Sequence, residues 1–349
     1  MVLRIRGYAL PHGEYVDLYA DGDRWTTDPV PNAELAAEGW LLPGLVDAHT
    51  HPGAVAPGDP LDDEVLREDL HRHVDAGVTL IRSPGLAGDP PPWFGEDPDV
   101  PRASHAGPWL AQHGQFFDGW GNRVDHAELP SVAAAQAKRS GWAKIIADWR
   151  TEDEAVPVEV LTAAADAVHA AGGRLAVHTQ HSAGSTAAVA AGVDSVEHGM
   201  WLDSGLLPDM ARRGIALTPT LSAFQGMLTS LRDRPDGPVK DWLLGGTEAH
   251  APLVAAAVEA GVRILAGTDS RPHGQVGDEI RALAATGIRT HDALAAASWS
   301  AREYLGLGGL EPGAPADAVV YAQDPRTDLG QLAAPLAVIL RGRRVRPHA

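Results

Sequence analysis

Two histidines one residue apart, in the run Leu45-Val46-Asp47-Ala48-His49-Thr50-His51-Pro52, offer the first chemistry in this chain. Side chains on a strand alternate between faces, so His49 and His51 project to the same side, roughly 7 Å apart along the backbone, and can converge on one ion. Groups of ligand or acid/base type recur at the ends of other apolar runs: His178 closes Arg174-Leu175-Ala176-Val177-His178, His198 follows Val193 to Glu197, and Asp269 follows Ile264 to Thr268. Taken singly, a strand-end histidine is an ordinary polar residue at the start of a loop, and Gly267-Thr268-Asp269-Ser270 is a turn whose aspartate caps a helix. Taken together, at the places where the strands of a parallel barrel deliver catalytic groups, they read as a metal site. Lys144 lies inside the apolar run Trp142-Ala143-Lys144-Ile145-Ile146-Ala147. An ammonium there either snorkels to a strand edge or is desolvated at a cost. Desolvation lowers its pKa, and the neutral amine can then add carbon dioxide to give a carbamate, an anionic bidentate group able to bridge two divalent metals.

These residues need a frame that brings strand ends together. Short apolar runs alternate with Ala-rich helical stretches, which predicts an α/β fold on parallel strands, with a barrel in front. Strands are expected at Trp40 to Val46, Val78 to Arg82, Ala143 to Ala147, Leu175 to His178, Ser195 to Glu197, Ile215 to Thr218 and Val262 to Ala266. Helices are expected at Glu64 to Ala76, Val156 to Ala171, Ala183 to Ala191 and Ala249 to Ala260, with Gly77, Gly172, Gly192 and Gly261 in the stop position. One more strand after Pro101 completes eight βα units, the number a distorted (β/α)8 TIM barrel over residues 41–310 requires. Residues 1–40 and 311–349 read as β-structure, and pairing them predicts a small β-sandwich domain built from both ends of the chain. Residues 83–130 and 222–247 read as long irregular loops that follow barrel strands, the places where lids and binding segments are found.

Composition narrows the partners. With 349 residues, 44% hydrophobic and 21% charged, the chain can bury one large core or two unequal ones. No apolar run reaches the ~18 to 20 residues of a membrane span, and the initial run Met1 to Arg6 reads as a charged strand without a signal-peptide core, so a cytoplasmic location is expected. The absence of cysteine excludes disulfides and thiolate metal sites, leaving His and carboxylates to hold any metal. A formal net charge of −18 opposes nucleic acid and anionic membranes. A small-molecule substrate is expected, and homo-oligomerisation is left open.

At this point the chain resembles the amidohydrolase superfamily, and more closely its imidazolonepropionase-like branch with the metal-dependent prolidases and related dipeptidases. The resemblance is carried by Pro43 to His51, Gly77-Val78-Thr79, Lys144-Ile145, Val177-His178, Ala191 to Gly199, Pro219-Thr220-Leu221, Gly267-Thr268-Asp269 and Glu311 to Val320, so it spans nearly the whole chain. It implies that His49 and His51 bind one metal with Asp269, that His178 and His198 bind a second, and that a carbamate on Lys144 derived from CO2 bridges them. The metals would be divalent, Zn2+ first, with Mn2+, Co2+ or Fe2+ close behind in such an N/O site. The implied reaction is cleavage of a C–N amide bond, peptide-like, N-acyl or cyclic, by a metal-bridged hydroxide, with Asp269 as general acid/base.

Two rivals stand beside it. Single-metal deaminases of the superfamily carry a glutamate three residues after the third metal histidine, where this chain reads His178-Thr179-Gln180-His181, and they need no bridging lysine. Lactone cleavage stays within reach of the same site, and a non-catalytic metal- or ligand-binding barrel is the non-enzyme alternative. For substrate contacts the strand-end loops offer His113, Trp201, Arg271 and His273, together with Arg82, Trp149, Arg150 and Phe224, a set suited to an apolar or aromatic group with an anionic tail. Dipeptidases of the branch place a tyrosine near the carbonyl oxygen; none lies in the loop after Thr220, and His113 is the candidate oxyanion donor instead.

Overall fold

A computed structural model describes residues 2–345; Met1, at the head of the expected first strand, and residues 346–349, at the tail of the expected terminal segment, lie outside the described residues. The chain opens with β1 (Leu3–Ala9), β2 (Glu14–Asp21), β3 (Arg24–Thr26) and β4 (Glu34–Pro43). β1 pairs antiparallel with β2, Ile5 opposite Leu18, and parallel with β4. Gly44 then breaks the run expected to continue from Trp40 to Val46: a Cβ there would sit 2.0 Å from Thr79 Oγ1, so only glycine lets the backbone pass into β5 (Leu45–Asp47).

From β5 onward come parallel strands, most of them fully buried, and helices, which alternate regularly from α2 on. These are α1 (Asp63–Asp75), β6 (Val78–Ser83), β7 (Arg102–His105), β8 (Leu110–Ala111), β9 (Asn122–Arg123), α2 (Leu129–Ser140), β10 (Trp142–Ile146), α3 (Val158–Ala170), β11 (Arg174–Thr179), α4 (Ser182–Ala191), β12 (Ser195–His198), α5 (Leu207–Arg213) and β13 (Ala216–Thr218). The strand expected after Pro101 is β7. Continuous apolar runs such as Trp142 to Ile146, buried at every position, are what a parallel sheet covered on both faces demands. β13-β12-β11-β10-β8-β9 form one parallel sheet, with Ile145 beside Val177 and Val177 beside Val196, and β5-β6-β7 form another.

The ladders stop short of a closed barrel. β7 reaches the β10 side only through a bridge between His105 and Gly141. The strand expected at Val262 to Ala266 is reduced to a single bridge, Leu217 to Ile264. The cause is visible in its hydrogen bonds: Leu265 N–H donates to Leu217 O, but Ala266 N–H donates to Ala296 O and Val46 N–H to Ala297 O, so the end of a neighbouring helix wedges between this segment and β5. Ala48 N–H nevertheless donates to Ala266 O at 2.7 Å, which keeps the loops after the two segments together.

The region 222–247 is not the irregular loop expected. It folds into α6 (Leu221–Arg232) and the start of α7 (Pro238–Glu259), whose last half is the helix expected at Ala249 to Ala260. Leu221, Phe224 and Leu231 are buried at helical spacing, and Pro238 opens α7 where a missing N–H costs nothing. Gly246, which reads as a helix breaker, is instead where Met200 and Trp201 press on α7. The remaining helices are α8 (Val276–Ala285), α9 (Thr290–Ala296) and α10 (Trp299–Tyr304).

The chain returns through β14 (Ala318–Tyr321), β15 (Ala337–Leu340) and β16 (Arg343–Val345) to the first strands. β14 pairs antiparallel with β4, Val319 opposite Leu42, and the seven strands make one sheet in the order β16-β15-β14-β4-β1-β2-β3, not two separate sheets of a sandwich. Ile5, Leu18, Trp25, Leu41, Val320 and Ile339 form its own apolar cluster, apart from the core beneath the parallel strands. Among the described residues no helix is long and apolar enough to cross a membrane.

Candidate metal centre

Asp47 assembles the site. Buried at the end of β5, its carboxylate accepts the His49 N–H at 3.2 Å, the Thr268 N–H at 3.1 Å and the Thr268 hydroxyl at 2.6 Å. It thereby staples the loop carrying His49 and His51 to the loop carrying Asp269, and Asp269 N–H returns a bond to His49 O at 2.8 Å. Gly267 makes this approach possible, because a Cβ there would lie 2.4 Å from His49 Cβ. At the ends of the parallel segments three non-glycine residues adopt left-handed backbone: His198 (φ 66°), Thr220 (φ 51°) and Asp269 (φ 44°). Such strain persists only where surrounding contacts enforce it, and here two of the three carry candidate ligands.

Three of the imidazoles are held through Nδ1. His49 Nδ1 bonds Glu197 Oε2 at 2.6 Å, His51 Nδ1 donates to Gly85 O at 2.7 Å, and His198 Nδ1 bonds Thr220 Oγ1 at 2.8 Å. This leaves the Nε2 atoms of His49 and His51 to meet, while His198 sets Nδ1 3.8 Å from Asp269 Oδ2. His49 Nε2 and His51 Nε2 are 3.1 Å apart, and Asp269 Oδ1 lies 3.2 Å from His51 Nε2 and 3.8 Å from His49 Nε2. His49, His51 and Asp269 thus present three donor atoms within 4.8 Å of one another. His198 packs against both His49 and His178, ring centres 4.8 and 4.6 Å apart. Lys144, 1% exposed, lines the same cavity as all of these.

Electrostatics favour ligation. Burial pushes the His49 imidazole down to about 4 and His178 and His198 well below the ordinary value, so their lone pairs are free at neutral pH. Burial likewise pushes the Lys144 ammonium down to about 8. For Asp269, burial works upward but His49 and His51 outweigh it and hold the carboxyl at about 2. Lys144 Nζ and His178 Nε2 are buried without a hydrogen-bond partner among the described residues. Each such orphan costs about 1–3 kcal/mol, a cost that a cation beside the imidazole and a carbamate on the lysine would remove. The donor set therefore fits divalent metal.

The cavity, about 680 Å³, is lined beyond these groups by Trp109, Phe116, Phe117, Trp120, Trp149 and Phe224. Of the expected substrate contacts, Arg271 and His273 line it. Arg271 is gripped by the buried Asp69 in a two-pronged pair at 2.7 and 2.8 Å, and His273 bonds Thr50 Oγ1 at 3.0 Å. Trp149 and Phe224 line it as well. His113, 67% exposed and 3.7 Å from Asp125, and Trp201, set against Gly246 of α7, are not among the lining residues. Arg150 is exposed and also off the lining. Arg82 is buried beneath the site, donating to Ala48 O at 2.6 Å and to Glu197 at 2.7 and 2.8 Å. Residue-type reasoning missed Glu197, Asp47 and the aromatic wall. The signal for Glu197 was a lone carboxylate in the buried strand Ser195 to His198; the four rings at 109–120 sit in an irregular segment with no period to reveal their facing.

Comparison with known proteins agrees with this geometry. The profile of the amidohydrolase family matches residues 40–346. An uncharacterized protein of Mycobacterium tuberculosis (strain ATCC 25618 / H37Rv) is 37% identical over 364 residues, covering 99% of this chain and 96% of its own length. The ochratoxinase of Aspergillus niger is 30% identical over 173 residues, 47% of this chain and 35% of that protein. Its crystal structure superposes with a TM-score of 0.81 at 20% identity, over 98% of this chain and 95% of that one. The structure of a Xaa-Pro dipeptidase with bound methionine in its active site gives a TM-score of 0.84 at 20% identity, covering 99% of this chain and 100% of that one. At such identities the structural likeness shows a common fold.

Proposed function

The chain belongs to the amidohydrolase family, and from that premise we propose that it is a metal-dependent hydrolase of a C–N amide bond in a small molecule. One observation carries the reading: the partnerless Lys144 Nζ and His178 Nε2 line the same cavity as the His49, His51 and Asp269 cluster and His198. In this reading His49, His51 and Asp269 would hold one divalent ion, His178 and His198 would hold a second, and Lys144, carboxylated by CO2, would be shared by both, with Zn2+ the first choice. Two such ions, when bound, polarise a substrate carbonyl and lower the pKa of water at the site. Glu197 and Gly85 O, which can only accept, fix the tautomers that leave the Nε2 atoms of His49 and His51 free, and Thr220 orients His198. The Asp269 carboxylate, 27% exposed toward the cavity, moves a proton from water to the leaving amine, so that the C–N bond breaks to acid and amine without a covalent intermediate. The eight-unit reading of residues 41–310 as a distorted (β/α)8 barrel is supported by the hydrogen bonds that Leu265 and Ala266 make to either side, and a separate β domain from residues 1–40 and 311–349 by the apolar cluster of the terminal sheet.

The test is metal content per chain by elemental mass spectrometry, on protein purified with bicarbonate and divalent metal, wild type beside Lys144→Ala. About two ions falling to one or none is expected. One ion in both proteins would demote Lys144 to a structural residue. A parallel screen of N-acyl amino acids, dipeptides, lactams and lactones should find hydrolysis that Asp269→Asn lowers by several orders of magnitude. Hydrolysis indifferent to that change would leave a binding protein with a contaminant.

A further inference from the structure

Resting on the amide-hydrolysis reading, we infer that the substrate is an N-acyl amide that carries a planar aromatic group and lacks a free α-ammonium. The first half of the inference stands on the cavity wall. Trp109 stacks on Trp120 with ring centres 5.0 Å apart and planes at 16°, and Phe116 and Phe117 meet Trp149 edge-on at 5.1 and 4.8 Å. This wall abuts the metal-ligand histidines, Trp109 lying 4.9 Å from His51 and Trp149 5.5 Å from His178. The rings do not simply bury one another. Trp109 and Phe116 are buried and form a floor, whereas Phe117 keeps 37% of its surface exposed, and Trp120 is pinned in place by its indole N–H on Asp59 O at 2.7 Å. A rigid ring surface open to a cavity is a stacking platform for another ring. α6 adds Phe224 and Met227 to the lining.

The second half stands on charge. Among the described residues the cavity lining holds one carboxylate, Asp269, and His51 and His49 already claim it. In the adjoining hollow, Asp278 is tied to Arg281 at 2.5 Å. A dipeptide places its ammonium on the carbon next to the scissile carbonyl, beside the imidazoles, where the lining offers no unclaimed carboxylate to receive it. An unpaired charge in that setting is costly, and the same molecule without the amine avoids the cost. The lining thus selects against free N-termini while its apolar wall rewards an aryl group.

The decisive substrates differ by one group. 3-Phenylpropanoyl-leucine is Phe-Leu without the ammonium, N-acetyl-phenylalanine moves the ring to the amine half, and N-acetyl-leucine removes it. The better of the two aryl amides should exceed both Phe-Leu and N-acetyl-leucine in kcat/KM by about hundredfold. Phe117→Ala should lower kcat/KM for that aryl amide about tenfold, through KM. Cleavage of Phe-Leu or N-acetyl-leucine as fast as the aryl amides overturns the inference while leaving amide hydrolysis standing. Should no amide be cleaved, the amide-hydrolysis reading fails, and ligand binding decides alone. Titration of tryptophan emission with 3-phenylpropanoate, 3-cyclohexylpropanoate and phenylalanine should show the first binding at least about tenfold more tightly than the other two. Equal binding, or none, overturns the inference.

Discussion

Glu197 does not line the cavity, yet it decides which nitrogen of His49 does. Buried between Arg82 and His49, it experiences opposed effects: burial works to raise its carboxyl, and Arg82 first, then Lys144 and His49, hold it well below the usual carboxylate range. It stays anionic, holds the proton on His49 Nδ1 and turns Nε2 toward His51. Glu197→Gln keeps the shape but removes that charge, so metal affinity should fall about 10- to 100-fold with the fold intact, read by competition with a metal chelator and by far-UV circular dichroism. Unchanged affinity would mean that Arg82 and Glu197 only fill space. The residues proposed as ligands were conspicuous in the sequence because His, Lys and Asp stand out in or at the ends of apolar strands. Their supporting groups were less so, since the partners of Glu197 and Asp47 come from segments far away in sequence.

At the scale of elements, Gly267 is the point where the last barrel segment can touch the first. A methyl group there would lie 2.4 Å from His49 Cβ and 2.8 Å from His49 N, and backbone cannot move aside as a side-chain tip can. Gly267→Ala should destabilise the protein by about 1–3 kcal/mol and lower its metal content, measured by thermal melting and elemental analysis of the same sample. A variant with wild-type stability and metal would show that the two loops have slack. The parallel strands were readable from their largely apolar runs, as for Trp142 to Ile146 with Lys144 its one charged residue. The segment Val262 to Ala266 reads just as apolar, but Ala296 O takes the Ala266 N–H and Ala297 O takes the Val46 N–H of the facing strand, a competition that one segment's sequence does not contain. α6 and the start of α7 were hidden for the opposite reason: Gly226, Gly237, Gly245 and Gly246 interrupt their pattern, while packing by Met200 and Trp201 supports the helix through one of those gaps.

For the molecule as a whole, stability carries a pH signature away from the metal. Glu279 accepts the N–H groups of Leu221 and Ser222 at 3.0 and 2.7 Å, at the start of α6, and burial pushes its carboxyl up from 4.5 to about 7. Between those values Glu279 keeps in the folded chain a proton that it loses in the unfolded one, so its own contribution to stability falls as pH rises through the window, opposite in sign to the buried histidines, whose lowered pKa values add stability as pH rises. The span corresponds to a contribution on the order of 3 kcal/mol, and Glu279→Gln should shift the stability difference between about pH 5 and about pH 7.5 by that much in favour of the higher pH, compared by urea unfolding. A difference that the substitution leaves unchanged would assign the buried proton elsewhere, Asp148 being the next buried carboxyl raised to about 7.

The staple at Asp47 ties together residues 221 positions apart, Asp47 and Thr268. Almost every βα unit lies in the intervening chain, so His49 and His51 emerge early in synthesis but wait for Asp269 until nearly all of those units have been made. On the proposed reading, ion capture would thus be a late event in the life of each molecule, and a chain cut short before Gly267 would hold histidines without a complete first site. Metal loading would then double as a seal of completed assembly: a nascent or half-folded copy would have little grip on the ion, and the finished one would gain stability from it in proportion to how tightly it binds.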